Sequence, residues 1–316
     1  MHARPCIRGN LEESVTARDF DADLVRSLQR DGRTSIRSLA AELGLTRAAA
    51  AARLRALVDS GAVRVVAAVD PALLGQHVLA HVSIRTDREA AGIAERLRAM
   101  DETVFVSTVG GSHDLVIEVW TGSMPELHDL LGQIRTLVGV ADIDTLIYTA
   151  VTKGFFVSDY HGDVSLDAID EALVDRLQID GRTTFRVLGE EVRLSPSAVA
   201  TRVQRLIGGG VIKISAVEAR GLSHRQLSMG IGLSLTDDDE QVLASLHASR
   251  GVDFVARTLG RFDAVATLVE PSAGALYASL ENLRALPGVA HVESWLHLAV
   301  LKEDYARRLG SRAASA

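Results

Sequence analysis

The sequence has one cysteine, Cys6, among 316 residues. A single thiol forms neither an intrachain disulfide nor a thiolate metal cluster, which excludes a disulfide scaffold and is typical of a reducing cytosol. Aromatic residues are 4% of the chain against 47% hydrophobic residues, so we expect aliphatic cores. No segment approaches the ~18 consecutive apolar residues of a membrane helix, and the first residues lack the apolar run of a signal peptide. We therefore expect a cytoplasmic protein with no membrane partner.

Sequence patterns of the common enzyme classes are also missing. There is no phosphate-binding glycine loop, nucleophile elbow or paired-carboxylate motif. His77 and His81 are four residues apart, but on a predicted strand, where that spacing does not bring two imidazoles to one metal ion. We predict no catalytic residue, no metal site and no cofactor.

The net charge of -7 argues against a nucleic-acid partner only as a global sum. Two windows have the opposite sign. Residues 36–64 contain five arginines and two acidic residues, and residues 185–213 contain four arginines, one lysine and two acidic residues. Each window is therefore locally basic, as a DNA-binding face requires.

The chain contains two copies of one sequence pattern. A shift of 149 residues aligns Asp31-Gly32-Arg33-Thr34 with Asp180-Gly181-Arg182-Thr183, and 13 of the 31 positions from Asp31 to Gly61 are identical to their partners. A period this long exceeds that of solenoid repeats, so each copy should be a complete folding unit. We predict a tandem fusion.

Each copy begins with a helical pattern. A short apolar stripe follows Asp21, a second helix runs from about Ile36 to Leu43, and Thr46 caps a third that reaches about Ser60. In the second copy Ser195 is a good N-cap, and Pro196 suits the first helical turn. Two helices joined by a short turn after a preceding helix predict a helix-turn-helix.

A strand-like period follows in each copy. The elements after residue 61 read as a strand and then the order β-α-β-β-α-β, which predicts an α+β fold with a ferredoxin-like antiparallel sheet. The predicted divisions are an irregular tail (1–18), winged helix-turn-helix 1 (19–70), α+β module 1 (71–157), a linker (158–166), winged helix-turn-helix 2 (167–219), α+β module 2 (220–306) and a tail (307–316).

Several short segments carry a family resemblance. They are Asp31-Gly32-Arg33, residues 39–46, 53–57 and 61–63, Gly111-Ser112-His113-Asp114, and in the second copy residues 194–197, 202–206, 210–212 and Gly260-Arg261-Phe262-Asp263. With both modules in order, twice, the chain resembles the leucine-responsive regulators (Lrp/AsnC, feast/famine). The resemblance implies a winged helix-turn-helix that binds double-stranded DNA, and α+β modules that assemble subunits and sense an amino acid or related metabolite.

Two departures from the family pattern matter. Most members carry one copy and dimerise, so here the usual pairing is expected within one chain. The first recognition helix reads Arg47-Ala48-Ala49-Ala50-Ala51-Ala52-Arg53, which leaves few side chains to hydrogen-bond bases and favours phosphate contacts. We therefore predict an asymmetric operator rather than a strict palindrome.

The candidate DNA contacts follow from helix geometry. With Val199, Val203 and Leu206 facing inward, the outward positions can reach the major groove. The candidates are Thr46, Arg47, Arg53, Arg55, Ser195, Ser197, Thr201, Arg202, Gln204 and Arg205. The alternatives are an ordinary solvated helix face and, for Arg53 and Arg202, a salt bridge that braces the module.

The candidate effector contacts lie in the loop between the second and third strands of each sheet. They are Gly111, Ser112, Asp114, Gly260, Arg261 and Asp263. Each aspartate could bind an effector amino group or cap its own turn, and Arg261 could pair with a carboxylate while Ser112 could not.

Two other functions share this architecture. The chain also looks like sirohaem decarboxylases, but their histidine- and arginine-rich stretches are poorly matched by residues 74–77 and only in part by His224-Arg225. A metabolite-binding assembly protein without DNA binding is the third possibility. Exposed sheet edges and apolar faces predict a homo-oligomer.

Overall fold

The computed structural model describes residues 11–154, 164–218, 226–236, 239–249 and 251–305, and only the backbone of residues 11–19 and 218. The helices are α1 (Leu11–Arg30), α2 (Ile36–Leu43), α3 (Arg47–Asp59), α4 (Ala90–Ala99), α5 (Met124–Arg135), α6 (Ala168–Ile179), α7 (Phe185–Val192), α8 (Pro196–Gly208), α9 (Asp239–Ala248) and α10 (Ala273–Arg284). The strands are β1 (Val63–Val69), β2 (Val78–Thr86), β3 (Thr103–Gly110), β4 (Leu115–Thr121), β5 (Val140–Lys153), β6 (Ile212–Glu218), β7 (Leu227–Leu235), β8 (Val252–Leu259), β9 (Ala264–Glu270) and β10 (Val289–Glu303). None of the described helices is long and apolar enough to cross a membrane.

Local side chains set the ends of the helix-turn-helix elements. The hydroxyls of Ser35 and Thr46 accept backbone N–H groups of α2 and α3, and Thr184 and Ser195 do the same for α7 and α8. Such caps satisfy N–H groups that have no partner inside the helix. The predicted second and third helices are confirmed at these ends.

The first helix begins earlier than expected. The sequence analysis placed an irregular tail at residues 1–18, but α1 starts at Leu11. Residues 11–17 contain no glycine or proline, and their leucine, glutamates and alanine have good helix propensity, so the helix extends back from its packed part. Residues 1–10 lie outside the described part of the chain.

The two helix-turn-helix modules are joined through their wings. Strand β1 pairs antiparallel with β6, from Val63 opposite Glu218 to Val69 opposite Ile212. Helix α1 packs on β6, and α6 packs on β1. One hydrophobic cluster contains Leu28 and Leu54 of the first module together with Leu173, Val199 and Leu206 of the second. The modules therefore share a single core.

The duplicated Asp-Gly-Arg motif forms the junction between the modules. The Arg33 guanidinium donates to the carbonyls of Gly181 and Thr183 at 2.7 and 3.0 Å, and Arg182 returns the contact to Gly32 and Thr34 at 2.6 and 3.1 Å. A Cβ on Gly32 would lie 2.7 Å from Val65 Cγ1 and 2.9 Å from the Ile214 carbonyl oxygen. The motif that is repeated in the sequence therefore pairs the two copies in space.

The two ferredoxin-like modules close into one barrel with the strand order β10-β3-β4-β2-β5-β8-β9-β7. The last strand of each module pairs with the second strand of the other, as β10 with β3 and β5 with β8. On β4, Leu115, Ile117 and Val119 pack with α4 and α5, whereas Val116 and Trp120 belong to the barrel interior. The α+β class is confirmed, and the barrel is a pairing that the sequence analysis did not foresee.

The closed barrel rules out one of the two reasons for predicting a homo-oligomer. The homo-oligomer was predicted partly from exposed sheet edges, but each strand of the barrel has a hydrogen-bonded neighbour on both sides. A closed barrel removes the edges through which sheets associate. Any association of chains must use the outer surface, where Leu259, Tyr277 and Leu298 are exposed.

Candidate DNA-binding surface and effector loops

Helices α3 and α8 present chemically different outer faces. The buried faces are equivalent, with Ala50 and Leu54 in α3 and Val199, Val203 and Leu206 in α8. The opposite faces are exposed, with Ala48, Ala52 and Arg55 on α3 and Ser197, Thr201 and Gln204 on α8. Serine, threonine and glutamine hydrogen-bond base edges, whereas alanine makes only apolar contact. The outer face of α8 is therefore neutral and hydrogen-bonding, whereas that of α3 combines alanines with Arg55.

The two predicted cap residues have structural roles. Thr46 Oγ1 accepts the Ala49 N–H at 3.2 Å, and Ser195 Oγ accepts the Ala198 N–H at 3.2 Å while lying 3.0 Å from Ser197 Oγ. The hydroxyls thus start the helices and place their N-termini at the exposed surface. Anionic phosphates bind favourably at such ends.

Three of the predicted DNA-contacting arginines bind carboxylates of the chain. Arg53 pairs with Asp21 at 2.7 Å, Arg202 pairs with Asp167 and Asp170 at 2.8 and 2.9 Å, and Arg205 also pairs with Asp170. The bracing interpretation therefore applies to Arg53 and Arg202, and it extends to Arg205.

Two other predicted arginines are placed differently. Among the described residues, Arg47 and Arg55 have no salt bridge, and both are exposed on α3. A guanidinium on an exposed helix face is available to a phosphate or a guanine. The first recognition helix thus offers cations, and the second offers neutral hydrogen-bonding groups.

The brace in the second module should be far stronger than that in the first. The Asp170 side chain is 1% exposed and accepts from two arginines, whereas Asp21 is 41% exposed and accepts from Arg53. We expect Asp170→Asn to lower the free energy of unfolding by about 1.5–3 kcal/mol, because the buried carboxylate is lost as the charged acceptor of Arg202 and Arg205. Asp21→Asn, the matched control, should cost no more than about 1 kcal/mol. Urea unfolding followed by circular dichroism measures both, and equal costs would contradict this account.

The aspartates of the effector loops bind the end of a neighbouring strand. Asp114 Oδ2 accepts the Thr86 N–H at 2.7 Å, and Asp263 Oδ2 accepts the Leu235 N–H at 2.7 Å. Gly111 and Gly260 precede them with φ of 149° and 148°, a conformation that favours glycine. In these bonds the aspartate side chains do not cap their own turns, and each instead fixes its loop to the end of an adjacent strand, β2 for Asp114 and β7 for Asp263.

The two loops meet in one ion-pair cluster. The guanidinium of Arg261 donates to both carboxylate oxygens of Glu293, at 2.8 and 3.1 Å, and also contacts Asp144. Ser112 Oγ of the other loop donates to the same Glu293 at 2.6 Å. Arg261 thus forms the predicted bidentate pair, but with carboxylates of the chain.

The two acidic residues of this cluster, Asp144 and Glu293, were not predicted from the sequence. Asp144 and Glu293 stand 149 residues apart, so they occupy equivalent positions in the two copies. The sequence signal that could have identified them is an acidic residue at the same position of both copies. Burial alone would raise the pKa of Glu293, but hydrogen bonds from Arg261 and Ser112 outweigh it and hold that pKa below its ordinary value. The cluster therefore weakens as the pH falls through the pKa of this carboxyl.

The barrel interior beneath this cluster holds buried polar groups. Glu118 accepts the hydroxyls of Tyr148 and Tyr305 at 2.9 and 2.8 Å. The His81 ring lies 3.2 Å from Ser83 Oγ and 5.4 Å, between centroids, from Trp295. Burial, with the nearby charges of His113 and Arg261, lowers the pKa of His81 from 6.5 to about 3. His81 is therefore neutral in the folded protein at neutral pH.

This histidine should make the fold acid-sensitive. Because its pKa is lower in the folded than in the unfolded chain, the stabilisation is complete above pH 6.5 and is lost as the pH falls towards 3. One such group contributes a slope of about 1.4 kcal/mol per pH unit in that window. We expect His81→Gln to reduce the slope of unfolding free energy against pH between 6 and 4 by roughly that amount. The exposed His128→Gln serves as control, and equal slopes in all three proteins would refute the assignment.

The fold consists of a pair of helix-turn-helix modules joined to a barrel of two ferredoxin-like modules. The comparisons agree: residues 18–64 match the winged helix-turn-helix DNA-binding family model, residues 166–207 match the AsnC-type helix-turn-helix domain, and residues 78–154 match the Lrp/AsnC ligand binding domain. The HTH-type transcriptional regulator LrpA of Mycobacterium tuberculosis is 33% identical over 132 residues, which are 41% of this chain and 88% of that protein. The HTH-type transcriptional regulator FL11 of Pyrococcus furiosus is 28% identical over 137 residues, 43% of this chain and 91% of that one. The chain belongs to the Lrp/AsnC family of DNA-binding transcription regulators.

Solved structures extend the likeness of fold to the whole chain. The siroheme decarboxylase NirDL superposes with a TM-score of 0.62 at 17% identity, covering 93% of this chain and 95% of that one. Its co-complex with an iron-uroporphyrin III analogue gives a TM-score of 0.59 at 16% identity, covering 90% and 93%. At this identity the likeness shows the shared fold alone.

Proposed function

We propose that this chain is a sequence-specific transcription regulator in which one polypeptide supplies both halves of a dimer-like DNA-binding unit, produced by tandem duplication. The observation that carries the proposal is the β1–β6 pairing, which fixes two helix-turn-helix modules back to back. Paired modules of this kind contact two half-sites of one operator. Here the two halves are covalently linked and unequal.

The two recognition helices should make different kinds of contact with DNA. Ser197, Thr201 and Gln204 on α8 supply base contacts, and Arg47 and Arg55 on α3 supply phosphate contacts. Ser195 and Thr46 position the helix N-termini near phosphates, as their caps allow. Arg53 holds α3 through Asp21 of α1, and Arg202 and Arg205 hold α8 through Asp170 of α6, so these arginines support binding indirectly.

Regulation by a small metabolite, such as an amino acid, is proposed for the barrel modules. The loops that contain Gly111, Ser112 and Asp114 and those that contain Gly260, Arg261 and Asp263 converge on the ion-pair cluster. A metabolite with both charges can exchange with the Arg261–Glu293 pair. To act as an effector it must bind one arrangement of the modules better than another. Further association of chains through the outer surface remains part of the proposal.

The test is binding of the full chain to a labelled duplex from upstream of its own gene, compared with a random duplex of equal length across a salt series. We expect tighter binding to the first duplex and a linear fall of log affinity with log salt, because phosphate contacts release counterions. Equal affinity for both duplexes at every salt concentration would overturn sequence-specific regulation. Repeating the series with a pool of amino acids tests the response to an effector.

A tetrapyrrole enzyme is the second candidate, favoured by the superposition of NirDL over both halves of the chain. The cavity in the barrel interior has a volume of about 20 Å³, which holds roughly one water molecule, so a tetrapyrrole would have to bind elsewhere on the protein. His224 and Arg225, the residues that kept this candidate open, lie outside the described residues. Absorbance titration with an iron porphyrin separates the two candidates: a saturable spectral shift without DNA preference would favour the enzyme.

A further inference from the structure

A large cleft lies between the helical layer and the barrel on one side of the molecule. Its volume is about 730 Å³, within the range of small-molecule sites. Helices α1 and α2 and strand β6 form one wall, and the ends of β5, α9, β8 and β10 form the other. The cleft is distinct from the ion-pair cluster, since it contains neither Arg261 nor Glu293.

Both walls of the cleft carry both signs of charge. On the helical wall, Arg26 pairs with Asp23, and Arg30 pairs with Glu42. A wall of alternating sign complements a ligand that itself carries a cation and an anion, because each ligand charge finds an opposite partner within a few ångströms.

Strand β6 adds Lys213 to the helical wall, and the barrel wall adds one lysine and two carboxylates. Lys213 Nζ donates to the Gly154 carbonyl at 2.9 Å, and Lys153 Nζ donates to the carbonyls of His247 and Ser249 at the end of α9. Asp253 lies close enough to act on the pKa of Lys153, which burial lowers. Glu303 completes the lining. The lysines are held in place by backbone carbonyls and so present fixed positive charges.

Several charges that line this cleft are absent from the equivalent positions of the other copy. The positions equivalent to Asp23, Arg26, Arg30 and Asp253, displaced by 149 residues, are Ala172, Asp175, Ile179 and Val104. Two of the four charges are replaced by apolar residues, one by alanine, and the sign of the other is reversed. Glu42, Lys153 and Lys213 keep the sign of their charge in the other copy, as Glu191, Lys302 and Arg64. The charge pattern is therefore reproduced only in part, and the other copy supplies matched control positions.

We propose that this cleft is a second small-molecule site that binds a zwitterionic metabolite of amino-acid type, with a carboxylate facing Arg26, Arg30 and Lys213 and an ammonium group facing Glu42 and Asp253. The proposal deepens the proposed function, on which its regulatory meaning rests. A ligand that contacts both layers stabilises one relative placement of the recognition helices and the barrel, which is the physical requirement for coupling.

The test uses the full chain without DNA and each of the twenty L-amino acids as a separate probe. We expect at least one to raise the melting temperature, because a ligand that binds only the folded state stabilises it. Calorimetry should then show an affinity loss of about tenfold or more in Glu42→Gln/Asp253→Asn, from removal of charged partners. Glu191→Gln, at the position equivalent to Glu42, should bind like the wild type.

Three outcomes overturn the proposal: no amino acid binds, the double variant binds with unchanged affinity, or Glu191→Gln loses as much affinity as the double variant. Arg261→Ala identifies binding at the loop cluster, which would account for an unchanged double variant. DNA preference is measured separately without ligand. DNA preference without amino-acid binding overturns only this inference, and amino-acid binding without DNA preference overturns only the regulator.

Discussion

Replacing Arg33 and Arg182 together with alanine is expected to lower the free energy of unfolding of the helical layer by about 3–6 kcal/mol, since each arginine donates at least two hydrogen bonds to backbone carbonyls of the other copy. Arg33 also stacks 4.3 Å from the Phe185 ring centroid. The loss is large because the double variant removes the guanidinium donors of four backbone carbonyls, and these bonds link the two modules that β1 and β6 join. The carbonyls are those of Gly32, Thr34, Gly181 and Thr183. Arg37→Ala, an exposed change on α2, should stay within about 0.5 kcal/mol of the wild type.

The chain offers separate signals for its two layers. Its two tryptophans, Trp120 and Trp295, lie in the barrel interior, whereas far-ultraviolet circular dichroism is weighted towards the helical layer, which contains six of the ten described helices. In urea, we expect the dichroism transition of the double variant to move to lower denaturant, with a smaller shift of the tryptophan transition. A dichroism transition unchanged from that of the wild type would show that the Asp-Gly-Arg junction does not hold the modules together.

The second large effect concerns base readout. Thr201→Ala/Gln204→Ala should weaken binding to the preferred duplex by about 10- to 100-fold, because side-chain contacts with bases contribute roughly 1–3 kcal/mol each to discrimination. Binding to random DNA should be unchanged. Arg55→Ala should weaken binding to both duplexes and reduce the salt slope by about one unit, as expected for a phosphate contact.

Fluorescence anisotropy with the two duplexes distinguishes these effects. A control in the opposite direction is the triple change Ala48→Ser, Ala52→Thr and Arg55→Gln, which copies the α8 face onto α3. This variant should gain preference for a palindromic duplex. An equal loss of preferred and random binding in Thr201→Ala/Gln204→Ala would contradict base readout by α8.

Local chemistry explains which features were predictable from the sequence. Thr46, Ser195 and Pro196 act within one turn of the helices they start, so the recognition helices were predicted at their observed ends. The start of α1 at Leu11 was missed, because ordinary helix formers without a cap give no sharp boundary. The strand character of β1 was equally visible in its residues.

The sequence did not predict which strands pair with each other. The pairing of β1 with β6, and of β10 with β3, joins residues far apart in the sequence, and strand propensity does not name a partner. The role of Arg202 was open for the same reason, since it depends on Asp170, a carboxylate in another helix. The conserved offset of 149 residues did point to paired copies, but the contacts became evident only in three dimensions.

The central claim is that one chain supplies two unequal halves of a DNA-binding unit. The most direct test is footprinting of the full chain on its preferred duplex with two probes, hydroxyl radical for protection of the sugar backbone and dimethyl sulfate for protection of purine bases, with the stoichiometry fixed by titration. The account predicts one chain per operator and two adjacent protected regions, with base contacts in the region bound by α8 and backbone contacts alone in the region bound by α3. Equal protection of two symmetric half-sites, or two chains per operator, would contradict it.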